Sequence, residues 1–136
     1  MPTRTTTQQR GPGFATFLRV AIALQTTAIL FQAVTAGMLL SSRHGEVLHS
    51  AGARGMYAAT MVYVLAAILL WRPGGGSPRP ILYATGFLVL ASAQVVLGVA
   101  HIPSVHVPLG VLMFGLSLLQ LGLVTAGRRV RAGAAA

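Results

Sequence analysis

The chain has no cysteine, no lysine and a single acidic residue, Glu46. Without thiols it can form no disulfide, no thiolate metal site and no cofactor attachment of the Cys-x-x-Cys-His kind. Any bound group must therefore be held by histidine, methionine or packing. Charged residues make up only 8% of the 136 residues, hydrophobic residues make up 54%, and the mean hydropathy is +0.74. That leaves too little polar surface for an ordinary soluble domain, so the composition is that of a membrane protein. The apolar residues come in long runs and do not alternate, which excludes a β-barrel.

Four runs are each long enough to cross a hydrocarbon core of ~30 Å as a helix of about 20 residues. They are Phe17 to Leu40, Ala51 to Trp71, Ile81 to Ala100 and Val105 to Ala126. Ten arginines give the formal charge of +9, and their placement is topological. Arg4, Arg10 and Arg19 precede the first span, Arg72 and Arg79 separate the second from the third, and Arg128, Arg129 and Arg131 follow the fourth. Only Arg43 and Arg54 lie near the remaining connection. The positive-inside rule then puts both termini and the central linker in the cytoplasm of a multi-pass protein of the plasma (inner) membrane. Nucleic acid is not an expected partner, because the basic residues are scattered and not interleaved with aromatics. The first apolar run is longer than a signal-peptide core and lacks a small-x-small cleavage site, so it reads as a retained helix.

The expected fold is an all-α membrane protein, a four-helix transmembrane bundle made of two helical hairpins. Residues 1–13 are polar and read as a disordered cytoplasmic segment. The first hairpin covers 14–71, with Ser41 to Ser50 as its outer turn. Residues 72–80, with three consecutive glycines and three prolines, form a linker that cannot continue a helix. The second hairpin covers 81–126, with an outer turn at His101 to Ser104 where Pro103 interrupts the helix. Residues 127–136 are a basic cytoplasmic tail. Both hairpins start on the same side, which makes them a parallel repeat about an axis along the membrane normal. Gln32 to Gly37 and Gln94 to Gly98 extend the repeat into the first helix of each hairpin, with a gap.

The repeat also holds all four histidines. His44, His49, Met56 and Tyr57 recur with identical spacing as His101, His106, Met113 and Phe114. Each set opens the second helix of its hairpin, so His49 and His106 lie at one depth and can face each other. Residues seven apart lie almost on one line of a helix, putting Met56 and Met113 about 10 Å below the imidazoles. That is too far for a shared His and Met copper sphere, but it matches the height of a porphyrin. Small residues four positions on, Ala53 and Gly110, would let a flat macrocycle approach the backbone, and thioethers pack well on π-systems. His44 and His101 precede their partners by five positions, a rotation of about 140° away from the ligand face. They are expected in the turns, in supporting, propionate-side or surface roles, with Arg43 and Arg54 as cations for haem propionates. Histidines at helix ends are also ordinary interfacial residues. Two at equivalent repeat positions, above matched methionines and aromatics, favour haem-iron ligation. Glu46, one turn before His49, can accept from its Nδ1 or simply favour the helix N-terminus. Met38 and Met61 read as packing residues, while Trp71, Tyr57, Tyr63 and Tyr83 need only interfacial or core roles.

Glu46-Val-Leu-His49 and His106, at the outer starts of the second and fourth helices, resemble one four-helix half of haem A synthase. Gln94-Val-Val-Leu-Gly98 followed by His106 and Gly110 is similar to the segment joining the third and fourth helices in that family. The likeness covers about residues 20–126, and Ser50 stands where the family's Glu-x-x-His-Arg motif has arginine. The resemblance implies a b-type haem between the second and fourth helices, His49 and His106 as axial ligands, and Glu46 as the functional glutamate.

Two histidine ligands leave iron no open position, which suits outer-sphere electron transfer. The leading expectation is an integral membrane haem b protein that transfers electrons or handles haem for a redox or respiratory partner. One alternative is a half-size haem A synthase-like oxidoreductase working as a homo-oligomer, with Glu46 catalytic. The other is a cofactor-free accessory subunit of a membrane complex.

Overall fold

The computed structural model describes residues 12–39, 41–42 and 44–133. Four helices account for nearly all of them: α1 (Pro12–Leu39), α2 (His44–Trp71), α3 (Arg79–Val99) and α4 (Pro103–Gly133). No strand occurs among the described residues. Each helix is long and apolar enough to cross a membrane, over Gly13–Leu39, His44–Trp71, Arg79–Val99 and Pro103–Gly127. The protein is therefore a multi-pass, four-helix membrane bundle. The side chains of Arg4, Arg10, Arg43, Arg128, Arg129 and Arg131 lie outside the described residues, as does most of the segment 1–13.

The helices pack in cyclic order, α1 on α2, α2 on α3, α3 on α4 and α4 on α1. No Cα of α2 comes within 8 Å of one from α4 among the described residues, so these two face each other across the diagonal. The core is built largely from small residues. Ala21, Ala59, Ala66, Ala67, Ala84 and Ala91 are buried around Ile22, Tyr63, Phe87 and Met113. In lipid the helices gain nothing by hiding apolar surface from each other, so close backbone approach and interhelical hydrogen bonds hold them together. Thr26 on α1 and Ser117 on α4 make such a bond at 2.6 Å, and Thr26 also donates to its own helix at the Ile22 carbonyl. Tyr57 and Ser92 join α2 to α3 at 3.2 Å. Leucines and valines such as Leu82, Val89, Leu112, Leu119 and Leu123 are exposed and face the surrounding lipid. Met61 belongs with these and not with the packing residues, being 58% exposed.

The connections are tighter than the sequence suggested. Helix α2 begins at His44, so His44 to Ser50 are its first two turns and not a loop. The tight join is possible because residue 45 is glycine. A Cβ there would lie 2.6 Å from backbone atoms of Met38 and Leu39. At the second hairpin Pro103 starts α4 and does not interrupt it, since proline at a first helical position has no hydrogen bond to lose. Helix α3 ends in a Schellman motif: the His101 N–H donates to the Gly98 carbonyl, and the Ile102 N–H to the Leu97 carbonyl. His101 takes the left-handed conformation there, with φ of 54°, where glycine is usual. The two outer histidines thus differ, His44 being helical and His101 in the turn.

At the opposite end the glycine-rich linker caps α2 with Gly74 and Gly76 N–H bonds to the Leu69 and Leu70 carbonyls. Arg72 lies over the Trp71 ring at 5.0 Å from its centre. Helix α3 starts at Arg79, one residue before the expected end of the linker.

Candidate functional site

His49 and His106 come together across the α2–α4 diagonal. Their ring centres are 6.2 Å apart and the ring planes are inclined at 68°. The α2 and α4 backbones stay apart among the described residues, so the two imidazoles approach each other across the bundle interior. Both rings are half-buried.

Each imidazole is fixed from the neighbouring first helix of its own hairpin. The His49 Nδ1 lies 3.1 Å from Thr35 Oγ1 on α1, and the His106 Nδ1 lies 3.0 Å from the Gln94 carbonyl oxygen on α3. Neither Nε2 has a hydrogen-bond partner among the described residues. The His106 Nδ1 faces a carbonyl, which only accepts, so the lone pair of its neutral ring lies at Nε2, whereas the hydroxyl facing the His49 Nδ1 can donate or accept.

Glycines give the two glutamines and one imidazole their seats. The Gln32 amide lies over Gly52 and donates to the His49 carbonyl at 3.3 Å. The Gln94 amide lies over Gly110, where an added Cβ would come to 2.9 Å from its Nε2. The glutamine repeat of the sequence thus has a structural meaning, since each glutamine rests on a glycine one turn beyond a histidine. The space above Gly110 is occupied by the Gln94 amide, the far end of a flexible side chain. A third glycine, Gly98, accommodates the His106 ring, whose Cε1 and Nδ1 would lie 3.3 and 3.6 Å from a Cβ there.

Below the imidazoles Met56 and Met113 are both buried, 6% and 2% exposed, within one core cluster that Tyr57 and Phe114 flank. Ala53 is half-buried on α2. The methionines at equivalent positions of the two hairpins thus share one core cluster.

Other candidates stay apart from it. Glu46 is exposed, and the Nδ1 it was expected to accept from is bonded to Thr35 instead. Arg54 is exposed and lies five positions beyond His49, a rotation of about 140° that turns it off the imidazole face. His44 and His101 are exposed at the histidine end of the bundle. Arg43 lies outside the described residues. No group of three or more histidine or carboxylate side chains that could hold a bare metal ion occurs among the described residues.

Thr35 and the Gln94 carbonyl were not foreseen from the sequence. The carbonyl carries no signal at all. Thr35 is one of several threonines in α1, and only its distance from His49 singles it out.

No protein-family model, curated protein or solved structure matches the chain.

Proposed function

We propose that the protein is an integral membrane haem protein that ligates a b-type haem through His49 and His106. The observation that carries this reading is the spacing of the two rings. Imidazoles bound through Nε2 on opposite sides of one metal, with bonds of about 2 Å, have ring centres roughly 6 Å apart. The separation here is 6.2 Å. Rings on a common ligand axis can take any dihedral about it, so an inclination of 68° suits this arrangement too. The His106 Nδ1 faces a carbonyl acceptor and the His49 Nδ1 a hydroxyl, and partners at Nδ1 favour ligation through Nε2.

To admit a macrocycle, the buried Met56 and Met113 and the Gln94 amide that lies over Gly110 would have to repack. All three are long, unbranched side chains, and methionine repacks readily against an aromatic surface. The bound haem would supply one-electron redox chemistry. The chain would contribute two imidazoles, a surrounding of low polarity and a bilayer-embedded frame, and a haem held by both histidines would suit outer-sphere electron transfer or haem holding. A redox or respiratory partner protein in the same plasma or inner membrane follows from that role. The likeness of Glu46-Val-Leu-His49 and His106 to one half of haem A synthases supports the same ligand pair.

The test is spectroscopic. The protein, purified in mild detergent from haem-replete cells and reduced with dithionite, should show sharp α and β bands. His49→Ala and His106→Ala should each lose them, whereas His44→Ala and His101→Ala should keep them. A colourless wild-type preparation would refute the reading and leave a cofactor-free packing protein.

A further inference from the structure

The two imidazoles rest on acceptors of different kinds, and the difference gives one side chain a specific role. On the α3 side the acceptor is the Gln94 carbonyl oxygen, 3.0 Å from His106 Nδ1. A carbonyl only accepts, so neutral His106 must carry its hydrogen on Nδ1 and its lone pair on Nε2. Backbone sets that tautomer, and no substitution at 94 removes it.

On the α1 side the partner is the hydroxyl of Thr35, 3.1 Å from His49 Nδ1. A hydroxyl can donate or accept, so a hydroxyl alone would leave the His49 tautomer open. The surroundings of Thr35 close that choice. Its oxygen lies 3.0 Å from the Phe31 carbonyl and 3.1 Å from the Gln32 carbonyl, both acceptors of the same helix. The single hydroxyl hydrogen goes to them, and only lone pairs remain toward the imidazole. Thr35 is 1% exposed, which keeps water from replacing it.

We propose that Thr35 is a positioning residue: it makes His49 an Nδ1–H imidazole and so leaves Nε2 as the ligating nitrogen. A side chain thereby does on α1 what backbone does on α3. The proposal rests on His49 and His106 being axial ligands, although the tautomer can be measured without haem. The pair is also held unequally. The His106 ring packs against Gly98 as well as the carbonyl, whereas the His49 ring has the Thr35 hydroxyl with the Gln32 backbone beside it.

The test uses the full chain with Thr35→Val, which keeps the shape and removes the hydroxyl, and Thr35→Ser, which keeps the hydroxyl. Imidazole ¹⁵N resonances of the haem-free protein in detergent should show protonated Nδ1 and bare Nε2 for both His49 and His106. Thr35→Val should turn His49 alone into a tautomer mixture, and Thr35→Ser should restore it. In the haem-loaded protein, Thr35→Val should weaken haem retention by about 10–100-fold, measured by transfer to excess apomyoglobin. Unchanged His49 resonances in Thr35→Val, or a wild-type His49 protonated on Nε2, would overturn the proposal. Expected tautomers in a wild type that takes up no haem would overturn the axial-ligand reading alone.

Discussion

Replacing Gly45 by alanine tests the packing that brings His49 to its place, whatever the site binds. The added Cβ would lie 2.6 Å from the Met38 carbonyl carbon and oxygen and from the Leu39 nitrogen. Ordinary contact needs roughly 3.4 Å or more, so the first turn of α2 or the last turn of α1 must move by close to 1 Å. Both obstacles are helical backbone and cannot swing aside as a side chain can. Overpacking of this kind costs about 1–3 kcal/mol. The displaced turn lies four residues before His49, so the shift is passed directly to the imidazole. The control is Gly55→Ala on the same helix, where an added Cβ meets nothing within 4 Å. There the better helix propensity of alanine should be neutral or stabilising by up to ~1 kcal/mol. Thermal unfolding in detergent, followed by circular dichroism, should show Gly45→Ala several degrees below wild type and Gly55→Ala at or above it. Equal melting of Gly45→Ala and wild type would refute the close α1–α2 crossing and the argument built on it.

Ser117→Ala should destabilise the bundle by about 0.5–1.5 kcal/mol, because it removes the buried bond to Thr26 while Thr26 keeps its bond to Ile22; reversible unfolding in mixed micelles measures this, and a double-mutant cycle with Thr26→Val isolates the coupling. Gln25→Leu should be neutral or stabilising, since the Gln25 Oε1 is buried without a partner and its loss removes an unpaired acceptor; marked destabilisation in the same assay would mean that this oxygen has a bond partner. His49→Ala and His106→Ala should each lose the reduced-haem bands and lower the melting temperature of the haem-free chain by only a few degrees, because each removes one interhelical hydrogen bond of about 0.5–1.5 kcal/mol, and global unfolding would mean that the bands were lost with the fold.

Much of the fold could be read in one dimension. The four spans, the glycine and proline linker and the duplicated histidine pattern follow from hydropathy and spacing, because a bilayer demands continuous apolar helices of nearly fixed length. The boundaries were read less well. Ser41 to Ser50 looked like a turn because they are polar, yet helix formation satisfies the backbone from His44 onward, and Gly45 lets that helix start directly against α1. Pro103 looked like a breaker and is a helix start. Glu46 was open to two readings, a partner for His49 or a favourable charge at the helix N-terminus, and it is a threonine on another helix that lies within reach of the His49 Nδ1.

The sequence alone determined that this is a membrane bundle of two similar hairpins and that His49 and His106 occupy equivalent places in them, since period, polarity and length are properties of a string. Only the tertiary structure decided that α2 and α4 face each other diagonally, that 6.2 Å separates the two rings, and that Thr35 and the Gln94 carbonyl hold them. Those facts depend on how closely four helices approach, which is set by alanines and glycines meeting across interfaces and by hydrogen bonds between helices. No local pattern along the chain encodes such distances.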